Sequence, residues 1–343
     1  MGKMKLTGMS ADEISGLIEP GGFTRSHAVR ISNSIYKKGI SDLSFFPGVP
    51  RHLKEYLHER SESGIYEPLS SSASADSSIK FVFSNSRKMK FETVFIPEKK
   101  RITVCVSTQS GCRMGCSFCA TGRYGFHGNL DAGDIVNQVI VCQRVKPITH
   151  VVFMGMGEPL DNTENVLKAC QLLTAEWGMA ISPRSITVST VGIIPGLIRF
   201  LEGSSCNLVV SLFSPFPAER AKMVPAEKKY PVQEIIRIMA GFPLVKKRRF
   251  SIAYVMLKGI NDTKKHLEEI MKILSGTGIR VNLLPYHKLP GDEYVSSGTG
   301  VMDLFRHELM KSGISASVRR SRGADISAAC GLLASGLSRE EVI

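Results

Sequence analysis

From residue 120 onward, short β-rich runs alternate with helical stretches, and that alternation restricts the chain to few architectures. The runs Thr149–Met154, Ser185–Ser189, Cys206–Leu212, Arg249–Met256, Arg280–Leu284 and Ser315–Val318 read as strands. Apolar residues at helical spacing fall between them, over Asp131–Gln143, Glu164–Thr174, Pro231–Met239, Lys264–Leu274 and Val301–Lys311. Strands that alternate with helices pair in parallel, so this part of the chain is a series of βαβ units. Six or so units favour a partial (β/α)6 barrel over an open doubly wound sheet. No GxGxxG follows the first strand, which weakens a dinucleotide-binding reading further.

The chain before this region has a different pattern. Residues 1–70 read as a small helical accessory domain. Ser10 with Glu13 makes a capping box ahead of Ile14 and Leu17, Ser26–Lys38 is a second helix, and a third follows Pro50 to Glu59. The serine-rich stretch Ser70–Ser78 reads as a loop or linker. Residues 79–98 form a β extension, with strands at Lys80–Ser84 and Lys90–Ile96, and a third strand at Arg101–Val106 opens the barrel. The barrel then spans 99–335 and leaves a tail at 336–343.

The 343 residues carry a net charge of +13, which suits a polyanionic partner, and nucleic acid is favoured over a plain solvated surface. The dense basic runs are Lys99–Arg101, Lys246–Arg249 and Arg319–Arg320. Eight cysteines in a chain this long, three of them within eight residues, read as a metal site in a reducing compartment and not as a disulfide scaffold. The start lacks an apolar core of signal-peptide length, and no run approaches the apolar length of a membrane span, so a cytoplasmic location with no membrane association is expected.

The three clustered cysteines are Cys112, Cys116 and Cys119, spaced C-x3-C-x2-C directly after a predicted strand. Three thiolates on one short loop can each bind one iron of a cubane and leave the fourth iron open to a substrate or cofactor. Structural zinc is the competing reading. It would need a fourth ligand, usually from a second CxxC or a C-x2-H, and the sequence holds neither. Gly111, Gly115 and Gly122 allow close wrapping around the cluster, and Phe118 can shield it from water.

C-x3-C-x2-C with an aromatic residue before the last cysteine resembles the radical S-adenosylmethionine (SAM) superfamily, whose partial (β/α)6 barrel agrees with the alternation above. Met154-Gly-Met-Gly157-Glu158-Pro159, one strand later, resembles the glycine-rich segment that lies along the methionyl group of the cofactor. Longer segments resemble one branch, the RlmN/Cfr RNA adenine methyltransferases. They are Phe91–Glu98, Cys105–Cys112, Phe153–Leu160, Val188–Pro195 and Arg322–Gly331. The resemblance implies a [4Fe-4S] cluster on Cys112, Cys116 and Cys119, and S-adenosylmethionine held by Gly157, Glu158, Ser189, Ser211, Leu212, Phe213 and His287. It also implies a two-stage reaction. Cys330 is first methylated by displacement. A second cofactor molecule is then cleaved to a radical that activates that methyl group, and the resulting carbon radical adds to C2 or C8 of an adenine. Glu92 accepts a proton, and Cys105 releases the product as a disulfide with Cys330. Arg319, Arg320 and Arg322 stand near Cys330 in sequence, suited to favouring its thiolate or to phosphate contact. Ribosomal or transfer RNA, an external reductant such as flavodoxin or ferredoxin, and a monomeric state complete the implied picture.

Three positions depart from the family pattern: Phe213 stands where His is common, His287 where Asn is common, and Glu227 where Asn is common. Phe213 donates no hydrogen bond, so its cofactor contact is lost or replaced by stacking. Two other classes compete with an RNA methyltransferase. A radical enzyme acting on a small molecule or peptide would not need Cys105 or Cys330, and an RNA-binding protein with structural zinc would cleave no cofactor.

Overall fold

The computed structural model describes residues 3–243 and 248–334. At the N-terminus, strands β1 (Met4–Lys5) and β2 (Ser61–Glu62) pair in parallel around helices α1 (Ala11–Ile18), α2 (Arg25–Tyr36) and α3 (Arg51–Arg60). The capping box is formed: Ser10 Oγ accepts from Glu13 N, and the Glu13 carboxylate accepts from Ser10 N. The buried Tyr36 hydroxyl donates to Met9 O at 2.6 Å and accepts from Gly8 N at 3.1 Å, which folds the entry segment back onto α2.

An antiparallel meander follows: β3 (Ser70–Ala73), β4 (Ile79–Ser84), β5 (Lys90–Pro97) and β6 (Ile102–Cys105). The reading of Ser70–Ser78 as a linker is therefore corrected, because Ser70–Ala73 pairs with Ile79–Val82 as an edge strand. Serine carries weak strand propensity, and here the cross-strand ladder decides. The hairpin of β7 (Gln109–Gly111) and β8 (Phe126–Asn129) encloses the cysteine loop and the short helix α4 (Ala120–Tyr124).

The βαβ series then runs α5 (Ala132–Val145), β9 (His150–Phe153), α6 (Thr163–Thr174), β10 (Ile186–Thr190), α7 (Ile194–Gly203) and β11 (Asn207–Ser211). It continues through α8 (Pro217–Met223), α9 (Val232–Gly241), β12 (Phe250–Met256), α10 (Lys264–Leu274), β13 (Arg280–Pro285), α11 (Thr299–Lys311) and β14 (Ala316–Val318). The strand at each expected position is present, and α4, α7 and α8 are helices the apolar pattern did not single out. The order across the sheet is β14-β13-β12-β11-β10-β9-β6-β5-β4-β3. From β6 to β14 all neighbours are parallel and the order never reverses, so the sheet winds one way, as a barrel does. Strands β14 and β3 are its two edges, and the barrel is not closed between them.

Register sorts the two faces. One carries Val104, Val151, Phe153, Val188, Leu208, Val210, Ile252, Val281 and Leu283, all buried beneath the helices. The other carries Cys105, Val152, Thr187, Ser189, Val209, Ser211, Ala253 and Asn282, many only half-buried. Side chains alternate between faces along a strand, so the second set lines the hollow inside the barrel. Helix α5 is buried along most of its length because the N-terminal unit covers its outer side: Tyr66 donates from N to Asn137 Oδ1 and from its hydroxyl to Asp134. No helix among the described residues is long and apolar enough to cross a membrane.

The basic run Lys246–Arg249 divides. Lys246 and Lys247 lie outside the described residues, as does 335–343. Arg248 is buried, donating from Nε to Cys206 O at 2.8 Å and from Nη1 to Leu201 O at 2.9 Å, so it is a packing residue and not a phosphate contact.

The turn into the cysteine loop depends on one glycine. Gly111 has φ +73°, and a Cβ there would lie 1.7 Å from Gly125 O. Gly111→Ala should cost about 3 kcal/mol or more. Gly115→Ala, at φ +64° with nothing within 4 Å of its Cβ, should cost about 1 kcal/mol. Urea unfolding of the two variants tests this, and equal losses would refute the steric account.

Candidate active site

Every expected site residue on the barrel strands falls at the C-terminal ends of the parallel strands or in the loops that leave them, the end where (β/α) folds collect their chemistry. Cys112, Cys116 and Cys119 follow β7 directly. Burial pushes the Cys112 thiol up to about 12, with Glu158 and Cys119 adding to the rise and the Met114 N–H opposing it. Burial likewise raises Cys116, with Cys119 and Cys112 reinforcing it and Arg220 pulling the other way. The three sulfurs are thus close enough to feel one another. Among the described residues, however, no three His, Cys, Asp or Glu side chains converge on a single ion. Three cysteine donors on one loop nevertheless suit a cluster in which each thiolate takes a different iron. Iron itself would ionise these buried thiols on binding.

Cys105 and Cys330, from opposite parts of the chain, lie within electrostatic reach of each other. Burial raises the Cys105 thiol, Cys330 adds to the rise, and the Met154 backbone opposes it. Cys330 is reachable by solvent, yet protein surrounds its sulfur closely enough that desolvation raises its thiol too, with Arg319 opposing and Cys119 reinforcing. The arginines therefore do not leave Cys330 as a low-pKa thiol. Arg319 moderates it, while Arg322 lies near Asp76 at 3.9 Å and Glu98 at 3.8 Å.

Sheet register explains why Glu92 joins this group. Lys80 faces Val94 across β4 and β5, and Val94 faces Cys105 across β5 and β6. Directly opposed residues share a face, as do residues two apart, so Lys80, Glu92 and Cys105 all point into the hollow. Glu92 is buried, 3.2 Å from Lys80 Nζ, and its Oε2 accepts from Ala334 N at 2.7 Å. On the opposite face Thr93 hydrogen-bonds Gln138 of α5.

The expected cofactor contacts lie along neighbouring strand ends. Gly157 has φ +102°, and a Cβ there would lie 2.6 Å from Gln109 Cβ, so glycine lets this turn close onto β7. The Glu158 carboxylate accepts from Leu160 N, Val191 N and the Thr190 hydroxyl, and so ties the ends of β9 and β10 together. Burial lifts it to about 7 despite those three donors. Ser189 and Ser211 face the hollow half-exposed, and among the described residues neither hydroxyl has a hydrogen-bond partner. Leu212 is buried beside them. Phe213 adopts φ +60° and stacks on Phe118 with centroids 5.3 Å apart and planes 11° apart, so stacking next to Cys119 occupies this position. His287 hydrogen-bonds Ser321 at 2.8 Å, joining the end of β13 to the C-terminal segment.

Two residues escaped the sequence reading. Lys80 looked like an ordinary strand lysine. Arg220 is fully buried, donating to Val191 O at 2.8 Å and to Ser211 O and Leu212 O at 2.9 Å, with Glu227 as its ion-pair partner. The departure at Glu227 was the available signal: it places the counter-charge for a cation that braces the strand ends under Ser211.

A model of the radical SAM superfamily matches residues 106–274. A Bacteroides fragilis protein named "Probable dual-specificity RNA methyltransferase RlmN" is 38% identical over 340 residues, covering 99% of both chains. An Anaeromyxobacter dehalogenans protein named "Dual-specificity RNA methyltransferase RlmN" is 37% identical over 339 residues, covering 96% of this chain and 91% of the other. The crystal structure of a radical SAM methyltransferase from Sphaerobacter thermophilus superposes with a TM-score of 0.90 at 34% identity, covering 97% of this chain and 99% of that one. Fold and site together define a radical SAM enzyme. Within that superfamily the chain belongs to the RlmN family of methyltransferases, whose members use a [4Fe-4S] cluster and S-adenosylmethionine.

Two predictions follow from the buried carboxylates. Glu227→Gln leaves Arg220 without a counter-charge and should destabilise the chain by about 3 kcal/mol, read by chemical denaturation. A loss below about 1 kcal/mol would mean that water reaches the guanidinium. In cluster-free protein, Glu158 retains a proton in the folded state between its ordinary value of 4.5 and about 7, where the unfolded chain has released it. Stability should therefore fall by about 3 kcal/mol as pH rises through that window, and Glu158→Gln should remove this slope. A slope unchanged by the substitution would assign it to other groups.

Proposed function

We propose that this enzyme methylates an adenine carbon, C2 or C8, of ribosomal or transfer RNA, with Cys330 carrying the methyl group. The observation that carries this reading is that Cys330 lies within electrostatic reach of Cys105 and of Cys119 of the cluster loop, with Glu92 on the same face of the sheet as Cys105. A radical enzyme for a small molecule or peptide has no use for that second pair of thiols.

This reading gives each residue a role. Cys112, Cys116 and Cys119 hold the cluster, which when bound supplies the electron for reductive cleavage of S-adenosylmethionine. The backbone of Gly157 and Glu158, the free hydroxyls of Ser189 and Ser211, and the apolar surfaces of Leu212 and Phe213 orient the cofactor in the hollow. His287 tethers the C-terminal segment nearby. Cys330 stands at the mouth, where a methyl donor and then a nucleobase can reach it. Glu92 receives the proton that leaves the adenine carbon. The buried Cys105 is shielded from solvent oxidants until its sulfur is needed to displace the product and close a disulfide with Cys330.

The amidine carbon of adenine is electron-poor and does not attack a methyl sulfonium, which is why a carbon radical suits this target. Arg101 and Arg319 lie close enough that Arg319, after burial, depresses the Arg101 pKa, so the two basic runs approach each other at this pair and would make a basic rim there. Such a rim suits an RNA backbone, and drawing a base from its stack requires that grip. A flavodoxin- or ferredoxin-type reductant, a monomeric state and a cytoplasmic location complete this reading.

The test is anaerobic reconstitution, incubation with bacterial RNA, S-adenosylmethionine and reductant, and mass spectrometry of the digested RNA. Methyladenosine that disappears in both Cys105→Ala and Cys330→Ala is expected, and its retention time distinguishes C2 from C8. Deoxyadenosine release without RNA methylation would move the target elsewhere.

A further inference from the structure

The C-terminal segment that carries Cys330 is pinned on both sides of the thiol, to the β3–β5 meander and to α4. At its start, Asp325 accepts from Ser74 Oγ at 2.6 Å and from Ala75 N at 3.0 Å, while Gly323 N donates to Asp76 at 2.9 Å. At its end, Ala120 N donates to Gly331 O at 2.8 Å and Thr121 Oγ1 to Leu333 O at 2.9 Å. One further end contact reaches a charge: Ala334 N donates to Glu92 Oε2, while Glu92 Oε1 faces Lys80 Nζ. Both partners of that ion pair are nearly excluded from water, with side-chain exposures of 11% for Lys80 and 2% for Glu92.

We propose that Lys80 is a positioning residue and that Lys80, Glu92 and Ala334 form a charge-dependent latch on the thiol segment. The deepened reading rests on Glu92 being the proton acceptor. A hydrogen bond to a carboxylate is roughly twice as strong as one to a neutral carbonyl oxygen. Lys80 supplies the counter-charge to the buried Glu92 carboxylate, whose other oxygen holds the Ala334 N–H. The acceptor oxygen is then covered by the segment's own backbone. For Glu92 to take a proton from the substrate carbon, the end of the segment must lift from Oε2. Once the proton arrives, with the C–H electron pair left on the substrate, Glu92 is a neutral acid that holds Ala334 weakly. Base availability and release of the segment are thus one event, and protonation keeps the latch open while Cys105 reaches the sulfur on Cys330.

Hydrogen–deuterium exchange on the cluster-reconstituted full chain, without RNA or S-adenosylmethionine, tests this. Exchange in residues 330–334 should be about tenfold faster in Lys80→Met than in the parent, faster still in Glu92→Ala, and restored by Lys80→Arg. Peptides from β9 to β13 should be unchanged, which separates a latch from general destabilisation. Parent-like exchange at 330–334 in Lys80→Met, or acceleration spread evenly over the barrel, would overturn the proposal. The RNA assay on the same variants keeps the two readings apart. Lost methylation in Glu92→Ala with normal exchange in Lys80→Met leaves Glu92 as acceptor and removes the latch. Accelerated exchange with full methylation in Glu92→Ala leaves the latch and removes the acceptor role.

Discussion

Strict two-residue alternation along the parallel strands is the constraint on which the rest of this enzyme depends. It sends the aliphatic half of each strand outward under the helices and the other half inward, where Thr187, Ser189, Ser211 and Asn282 leave room and polarity. A one-residue slip in β5 would turn Glu92 into the helix layer, and one in β6 would do the same to Cys105. The Thr93–Gln138 bond and the aromatic set Phe83, Phe91 and Phe95 hold that register from the outer face.

Beneath the inward face, buried polar groups fix the strand ends. Glu158 joins β9 to β10 through Val191 N, and Arg220 takes the carbonyl of the same residue while gripping Ser211 and Leu212 on β11. The two networks meet at one residue, Val191, on its N–H and its carbonyl. Ion pairs this deep add little net stability relative to apolar packing. Their effect is geometric: three strand ends that would otherwise fray are held at fixed separation around the space for the cofactor.

Much of this was legible in the sequence because it rests on local signals. Strand positions β4 to β6 and β9 to β14 follow from β-rich runs, and the cysteine loop follows from spacing alone, whereas the short hairpin of β7 and β8 around that loop was not singled out. Ser70–Ala73 was not legible, because an edge strand of serines is made by its partner β4 and not by its own propensity. Arg248 was read with its charged neighbours, and nothing local reveals that three phenylalanine rings and two carbonyls bury it. Lys80 and Arg220 were missed for the same reason: the role of each is set by a residue on another element, Ala334 reached through Glu92, or Val191 and Ser211.

The two unpaired edges of the barrel give the C-terminal segment a mechanical part. It leaves β14 at Val318, Arg319 N still bonds Leu283 O on β13, and Asp325 fastens to the turn between β3 and β4. The segment therefore bridges the gap as a clasp joins the ends of a hoop, and the reactive thiol is mounted on the clasp. Unfastening it frees the rim on both sides of the gap at once.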